Sequence, residues 1–138
     1  MKEDDAYPAN PDSFYGWEKL TTEKMCKAYS EDYGLETRIS RFHNCYGPTA
    51  DYGDKRGKVI ACLIRKAIRY PKEPFVVWGD GKQERSFIYI DDLVDALLRL
   101  MESDYSEPLN IGTDRLISIN DLAKMIIEIS GKNITIEY

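Results

Sequence analysis

Residues 12–20, DSFYGWEKL, place Tyr15 four residues before Lys19. If this segment is helical, the two side chains share one face of the helix, with their Cβ atoms about 6 Å apart. A tyrosine acts as a base near neutral pH only if its phenolate is stabilised by roughly 4 kcal/mol relative to the phenol. A neighbouring ammonium group and a cationic cofactor ring are surroundings that supply such stabilisation. These residue types at this spacing therefore suit proton transfer at a hydroxyl group.

The spacing on its own is weak evidence, because tyrosine and lysine are both frequent in this chain. Ten tyrosines and eleven lysines among 138 residues give roughly 0.8 chance matches to a Y-x-x-x-K pattern. Taken alone, such a pattern is more often an aromatic packing residue beside a solvated lysine. The surrounding sequence has to decide between the two interpretations.

The elements around this pair alternate between helix and strand. Asp12 or Ser13 is placed to cap a helix that runs to about Tyr33, and Gly34 is placed to end it. A strand over 35–44 follows. Alternation of this kind, which continues along the chain, is typical of an α/β protein.

A long loop over 45–57 comes next, and irregular segments of that length inside a compact domain are usually functional or disordered. Apolar residues at helical spacing, with a basic opposite face, then predict a helix over 58–70. Beyond it the sequence predicts strands over 74–79, 86–90, 108–112 and 133–138, a helix over 92–101 opened by Asp91 or Asp92, and a helix over 118–129 opened by Ser118 with Asp121 and ended by Gly131.

Composition excludes several classes of protein. A formal net charge of -5 and a pI near 5.0 argue against nucleic acid as a partner, since phosphate binding requires a basic face. Cys26, Cys45 and Cys62 are an odd number without metal-type spacing, which favours free thiols in a reducing compartment and no metal site. No apolar run approaches the roughly 18 residues that a spanning helix needs, and the N-terminus does not resemble a signal peptide. We therefore expect a cytoplasmic protein that does not bind membranes.

Four segments occur in order along the chain: YPANPDSFYGWEKL, RISRFHNCYGP, VVWGDGKQERSFIYIDDLVDALLRL and EPLNIGTD. Together they resemble the C-terminal half of the extended short-chain dehydrogenase/reductases that act on nucleotide sugars, from about Asp5 to Ile129. Within that family, Phe42 and His43 make the chain most similar to the branch that epimerises GDP-mannose at C3 and C5. Dehydratases and 4-epimerases of nucleotide sugars are near relatives of this branch.

The resemblance implies NAD as the cofactor and assigns roles around it. Tyr15 matches the family's catalytic tyrosine, which takes a proton from a sugar hydroxyl as hydride leaves for NAD. Lys19 matches the lysine that binds the nicotinamide ribose and lowers the pKa of that tyrosine. Phe42 and His43 are expected in the cofactor pocket. No glycine-rich turn of the G-x-G-x-x-G type follows a strand anywhere in the chain, so the pyrophosphate cradle is not among these residues.

The same resemblance places three residues at the nucleotide-sugar substrate. Asn44 matches a substrate contact, Arg85 matches an arginine on the diphosphate, and Lys58 matches a lysine that acts as acid/base and contacts the substrate. Oxidation at C4 acidifies the protons on C3 and C5, so a positioned acid/base can exchange them. A guanidinium fork suits phosphate oxygens. The alternatives are a surface arginine for Arg85 and a solvated lysine in a flexible basic loop for Lys58.

The expected organisation is a partial one. Residues 1–44 are predicted to end a Rossmann-like dinucleotide-binding domain, and residues 45–138 to form most of the smaller substrate-binding domain. The family's active-site Ser/Thr, and the cysteine that partners the loop lysine, are not in the chain, so we expect a fragment that is inactive alone. Gly57 stands where glutamate is expected and is predicted to loosen the loop. The alternatives are a piece of a dehydratase or 4-epimerase, and a non-catalytic binding or oligomerisation module.

A homodimer is expected from the helix that carries Tyr15. This helix also carries Phe14, Trp17, Leu20 and Met25, and leaving a large apolar side chain in water costs about 1.5–3 kcal/mol. A patch of that size is rarely tolerated by a soluble monomer. A two-fold dimer through this helix, or through the strand that follows it, would cover the patch.

Overall fold

The computed structural model describes residues 2–53 and 56–138. This part of the chain forms a short 3₁₀ helix, Glu3–Ala6, four α-helices and seven strands. The helices are α1 (Phe14–Tyr33), α2 (Val59–Arg69), α3 (Ile90–Glu102) and α4 (Ile119–Ser130). The strands are β1 (Ser40–Phe42), β2 (Asn44–Tyr46), β3 (Phe75–Val76), β4 (Glu84–Tyr89), β5 (Leu109–Ile111), β6 (Leu116–Ser118) and β7 (Ile136–Glu137). The predicted α/β class is confirmed.

The chain forms two compact units, and each of them is assembled from two separate segments. The first unit contains Met1–His43 and Asp91–Ile111, and the second contains Asn44–Ile90 and Gly112–Tyr138. The predicted boundary after residue 44 assumed one crossing, whereas the chain crosses between the units three times. The first crossing follows residue 43, one residue before the predicted boundary. Assignment of the units to cofactor and substrate remains a prediction.

In the first unit, β1 pairs in parallel with β5, with Ser40 opposite Leu109. The predicted limits of α1 are confirmed, because local chemistry sets both ends. The Ser13 hydroxyl accepts a hydrogen bond from the Gly16 N–H, and Gly34 adopts a left-handed conformation at φ 67°. The strand predicted over 35–44 is shorter in the structure: β1 covers Ser40–Phe42, and Asn44 already begins β2.

The second unit contains the main hydrophobic core. β2 pairs in parallel with β4, β4 pairs antiparallel with β6, and β3 pairs in parallel with β7. The apolar faces of α2 and α4 pack together with β3 around Phe75, which is fully buried. The predicted caps of α4 are confirmed, since the Ser118 hydroxyl accepts from the Asp121 N–H and Gly131 is left-handed. This core supports the strands that line the cavity described below.

Two sequence expectations are corrected. The helix predicted to open at Asp91 or Asp92 begins at Ile90, so both carboxylates lie inside the first turn of α3 and neither is its cap. There they face the positive end of the helix dipole, which is a favourable place for a negative charge. The predicted loop over 45–57 includes most of β2, since Asn44–Tyr46 pair with β4. Within the described residues, no helix has the length and hydropathy to span a membrane.

Candidate active site

Tyr15 and Lys19 lie on successive turns of α1, as predicted. The Nζ atom of Lys19 lies over the Tyr15 ring, 5.1 Å from its centroid, and 3.7 Å from Oε1 of Glu18. A cation in this position is attracted by the electron-rich face of the ring. Tyr15 is 68% exposed, so the couple is presented at the surface of the first unit.

A polar clamp attaches α1 to the rest of the first unit. The Arg41 guanidinium on β1 donates through Nε and Nη2 to the Glu23 carboxylate on α1, at 2.7 and 2.6 Å. Its Nη1 donates to the Glu3 carbonyl at 2.8 Å. These contacts with Glu23 raise the pKa of Arg41. Glu23 lies two turns beyond Tyr15 on α1, so the clamp acts on the helix that carries the couple.

The Glu3 carboxylate extends this clamp to β5. It accepts a hydrogen bond from the Asn110 N–H at 2.8 Å. That backbone hydrogen bond lowers the pKa of Glu3, because it stabilises the charged form. The N-terminal segment, α1, β1 and β5 are therefore linked through charged side chains.

Phe42 and His43 lie at the end of β1 in the first unit. The Phe42 side chain is exposed, and the backbone N–H of His43 donates to the Ile111 carbonyl at 2.9 Å. This bond continues the β1–β5 ladder one residue beyond Phe42. The structure thus places the four residues predicted at the cofactor on α1 and at the end of β1.

A cavity of about 260 Å³ opens in the second unit. Its apolar wall includes Leu63, Val77 and Phe87, and its polar lining includes Asn44 and Arg85. Apolar walls with a few polar groups are the usual composition of small-molecule sites. The structure therefore brings together two of the residues predicted at the substrate.

Asn44 and Arg85 are held differently. Asn44 begins β2 opposite Phe87, and its Nδ2 donates to the Ser86 carbonyl at 3.2 Å. Arg85 is on β4, and its Nη1 donates to the carbonyl of Glu84 at 2.8 Å. The Arg85 side chain is exposed, so it can reach a ligand at the mouth of the cavity.

Lys58 lies at the N-cap position of α2, between Gly57 and Val59, which both line the cavity. Its side chain is exposed. That Gly57 loosens the loop stays a prediction, but the structure leaves no room for a side chain at this position. A Cβ atom at residue 57 would lie 2.5 Å from Sγ of Cys62 and 2.6 Å from the Gly53 carbonyl. Residue 57 is therefore a point of close approach between the loop and α2.

Sequence reasoning missed Arg65 and Trp78, which also line the cavity. Arg65 is only 8% exposed, although the sequence predicts an exposed basic face opposite the apolar residues of this helix. No local pattern marks this burial, because Arg65 lies two residues from both Leu63 and Ala67, which places it on another side of the helix. For Trp78, the signal was an aromatic residue directly before the Gly79–Gly81 turn.

The three thiols are free, as predicted. Among residues 2–53 and 56–138, no group of three or more His, Cys, Asp or Glu side chains has an arrangement suited to a metal ion.

Two curated relatives are similar to this chain over most of its length. The chain is 46% identical over its whole length to GDP-mannose 3,5-epimerase of Arabidopsis thaliana, and it covers 36% of that protein. It is 38% identical to UDP-glucuronic acid decarboxylase 1 of Arabidopsis thaliana over 95% of the chain, which is 29% of that protein. The chain thus spans about a third of the length of the curated relatives that it matches.

Solved structures share the fold. UDP-N-acetylglucosamine 4-epimerase from Methanobrevibacter ruminantium M1, in complex with UDP-N-acetylmuramic acid, superposes with a TM-score of 0.87 at 31% identity, over 94% of this chain and 41% of that one. UDP-glucose 4-epimerase from Thermotoga maritima, with UDP-glucose, gives a TM-score of 0.83 at 36% identity, over 93% and 41%. Residues 1–112 match the NAD dependent epimerase/dehydratase family. The chain therefore belongs to the NAD-dependent epimerase/dehydratase family.

Proposed function

We propose that this chain is part of an enzyme that uses NAD to epimerise GDP-mannose at C3 and C5. The observation that carries the proposal is the Tyr15–Lys19 couple on one exposed face of α1, in a chain that is 46% identical to a GDP-mannose 3,5-epimerase. The cavity of the second unit supports it, because Asn44 and Arg85 line that cavity and Lys58 adjoins it.

The residues that would hold NAD are those of the first unit. A phenol and an ammonium group on one helix face fit the nicotinamide ribose, and Phe42 and His43 would complete that end of the pocket. The chain offers no glycine-rich turn for the pyrophosphate. When bound, NAD supplies a hydride acceptor for C4 of the sugar. Tyr15 takes the proton of the C4 hydroxyl, and Lys19 lowers the pKa of Tyr15.

The residues proposed at the substrate lie in the second unit. The Arg85 guanidinium binds the diphosphate through paired hydrogen bonds, since it stays charged and matches the phosphate oxygens. The Asn44 side chain contacts the nucleotide sugar. The Lys58 side chain is the acid/base at the carbons beside the C4 ketone, where the carbonyl makes the protons acidic: its neutral amine removes a proton and its ammonium form returns one.

Calorimetric titration of the 138-residue chain with nucleotide sugars tests the substrate class. We expect GDP-mannose to bind more tightly than UDP-glucose, and Arg85→Met to weaken binding by at least about tenfold, which corresponds to one lost charge-assisted contact. Arg99→Met is the matched control, because Arg99 is an exposed arginine paired with Asp95 on α3. Tighter binding of UDP-glucose would contradict the assignment to GDP-mannose.

The full-length enzyme tests the chemistry. Tyr15→Phe should abolish hydride transfer and leave the affinity for nucleotide sugar nearly unchanged, because only the ionisable oxygen is removed. Lys58→Met should spare oxidation at C4 and stop exchange of the C3 and C5 protons with deuterated solvent. Normal deuterium incorporation in Lys58→Met would exclude the acid/base role of Lys58. We expect no turnover by the isolated chain, since positioning by the remaining groups of the site contributes many kcal/mol.

A second candidate is a 4-epimerase or a dehydratase of nucleotide sugars. The TM-scores of 0.87 and 0.83 to two 4-epimerases favour it. In a 4-epimerase the full-length enzyme would invert C4 without exchanging C3 or C5 protons, and a dehydratase would release water. If neither reaction nor nucleotide-sugar binding occurs, a non-catalytic binding or oligomerisation module remains.

We also propose a cytoplasmic homodimer. The apolar side chains of α1 support the dimer, since none of its residues is buried and Phe14 is 95% exposed. Light scattering at high micromolar concentration should give about twice the chain mass of 15.9 kDa. A monomer mass together with a cooperative melt would contradict the dimer.

A further inference from the structure

The loop before α2 is attached to the first turns of that helix by several contacts. The Gly57 N–H donates to the Gly53 carbonyl at 2.7 Å. The Cys62 Sγ lies 4.0 Å from the Tyr52 carbonyl oxygen and 3.9 Å from that of Gly53. The Arg65 Nη1 donates to the Tyr52 carbonyl at 2.6 Å. The helix therefore holds the described parts of this loop from its own side.

Arg65 connects the loop to a third segment of the second unit. Its Nη2 donates to Oε1 of Glu73, again at 2.6 Å, and the residue is almost fully buried. Burial of an ion pair carries a desolvation penalty that an apolar residue of similar size would avoid. Packing alone does not explain why a buried arginine occupies this position. Its hydrogen bond to the Tyr52 carbonyl of the loop does.

Gly57 allows the loop to come this close. An added Cβ would meet Cys62 and Gly53, as described above, and would lie 2.9 Å from the Tyr52 carbonyl carbon. Two of these neighbours are backbone atoms, which cannot turn aside as the end of a flexible side chain can. Any larger residue at this position would push the loop away from the helix.

These contacts surround the residue that carries the exposed ammonium group. Lys58 follows Gly57 directly, and its carbonyl accepts from the Cys62 N–H at 3.0 Å. Its backbone is thus fixed by the loop on one side and by the first turn of α2 on the other. Gly57, Cys62 and Arg65 also line the cavity, so a movement of the loop changes the path by which Lys58 reaches it.

We propose that Arg65 and Gly57 are positioning residues for Lys58. By holding Tyr52, Gly53 and Gly57 against α2, these contacts set the direction from which the Lys58 ammonium approaches the cavity. The task given to Lys58 rests on the proposed function, whereas the attachment of these three residues rests on the contacts within the second unit. Neither residue touches the reacting atoms in this proposal.

Cys62 reports on the attachment of Tyr52, Gly53 and Gly57 in the chain itself, because its thiol lies against them. In a Cys26→Ser, Cys45→Ser background, Arg65→Met and Gly57→Ala should each raise the rate of Cys62 labelling by Ellman's reagent about tenfold, because local opening exposes the thiol. Arg69→Met is the control for the arginine, since Arg69 pairs with the same Glu73 carboxylate from an exposed position. Gly53→Ala is the control for the glycine, because its Cβ would meet only the Asp51 carboxylate, at 3.1 Å.

A second readout observes Lys58 directly. Reductive ¹³C-methylation gives each lysine an NMR signal, and the signal that Lys58→Arg removes belongs to Lys58. Arg65→Met and Gly57→Ala should shift that signal, and both controls should leave it in place. A cooperative melt identifies variants that fold, and if Arg65→Met does not fold, Gly57→Ala alone carries the test.

Three results would overturn the proposal: unchanged Cys62 labelling in folded Gly57→Ala, faster labelling with an unmoved Lys58 signal, or equal effects in the control variants. None of these measurements contains a nucleotide sugar. Failure of GDP-mannose to bind would therefore remove the proposed function without affecting either readout, and the two failures are distinguishable.

Discussion

Helix α1 of the first unit and helices α2 and α4 of the second unit are held by different means. In the second unit, α2 and α4 bury apolar side chains against β3, and Phe75 is fully enclosed. In the first unit, α1 is the longest helix of the described chain, yet none of its residues is buried. The Arg41–Glu23 clamp attaches it instead. The stabilisation from apolar burial is proportional to the buried area and does not depend on direction. The stabilisation from a charged clamp depends on a few atoms in one geometry. The second unit should therefore be the more robust of the two.

The largest expected effect is in the core of the second unit. Phe75→Ala should lower the free energy of unfolding by about 3–5 kcal/mol, because it removes a buried ring and leaves a cavity. At a protein concentration low enough to keep the chain monomeric, the matched variant Phe14→Ala, on the exposed end of α1, should change it by less than about 0.5 kcal/mol. Urea denaturation followed by circular dichroism measures both. Equal losses in the two variants would abolish the distinction between the units.

The next largest effect concerns the clamp of the first unit. Arg41→Met should destabilise α1 by about 1.5–3 kcal/mol, since charge-assisted hydrogen bonds to Glu23 and to the Glu3 carbonyl are lost. Amide hydrogen exchange should accelerate along α1 and stay unchanged in α2 and α4. Lys27→Met is the control, because Lys27 forms an exposed pair with Glu31 on the same helix. Protection of α1 that survives Arg41→Met would mean that another contact holds the helix.

A charged residue also contacts the end of α2, and its removal should matter less. The Lys132 Nζ donates to the carbonyls of Ala67, Ile68 and Tyr70 at 2.8, 2.6 and 3.4 Å. Lysine in this position satisfies the open carbonyls of a helix C-terminus. Lys132→Met should accelerate amide exchange only in the last turn of α2. The free energy of local opening there should fall by about 1 kcal/mol. Loss of protection throughout α2 would show that the core does not hold this helix by itself.

The smallest effect is expected at the start of α4. Ser118→Ala should lower the free energy of unfolding by about 0.5–1 kcal/mol through loss of the helix cap. The hydrogen bond from the Ser118 hydroxyl, followed by the one from Lys124, lowers the pKa of Asp121. Because the pKa of Asp121 is lower in the folded state than in the unfolded state, the charged carboxylate stabilises the fold, and this stabilisation is fully present above the unfolded pKa. It is lost as pH falls through the folded pKa.

Urea midpoints measured across acidic pH test this sign. The midpoint of the native chain should fall with pH more steeply than that of Asp121→Asn, which lacks the titrating carboxylate. Asp104→Asn is the control, since Asp104 is an exposed carboxylate in the first unit. If Asp121→Asn and the native chain have parallel profiles, the carboxylate at the start of α4 does not contribute as described.

Sequence reasoning succeeded where the determining chemistry is local. Helix α1 begins after Ser13 and ends before Gly34, and α4 begins after Ser118 and ends before Gly131. These ends were predictable because capping needs only atoms a few residues apart. Tyr15 and Lys19 lie on the same face of α1 for the same reason, because residues four apart are neighbours on a helix surface. The helix predicted over 58–70 also agrees closely with α2 (Val59–Arg69), since the spacing of its apolar residues lies within the segment itself.

Sequence reasoning failed where contacts join distant segments. β1 pairs with β5, so Ser40 lies opposite Leu109, and that pairing shortens the strand predicted from local pattern alone. Residues 91–111 belong to the first unit for the same reason, since they include β5, which pairs with β1. A domain boundary read along the sequence cannot contain a pairing between segments that are far apart in it.

What the amino-acid sequence determined by itself is the α/β class, the ends of α1 and α4, and the Tyr15–Lys19 spacing. Only the tertiary structure decided that Arg65 is buried against the Tyr52 carbonyl, and that Gly57 has no room for a side chain beside Cys62. The physical reason is that caps and helix faces are set by bonds within one or two turns. The environment of a loop residue depends on which helix the loop folds against, and no local pattern contains that information.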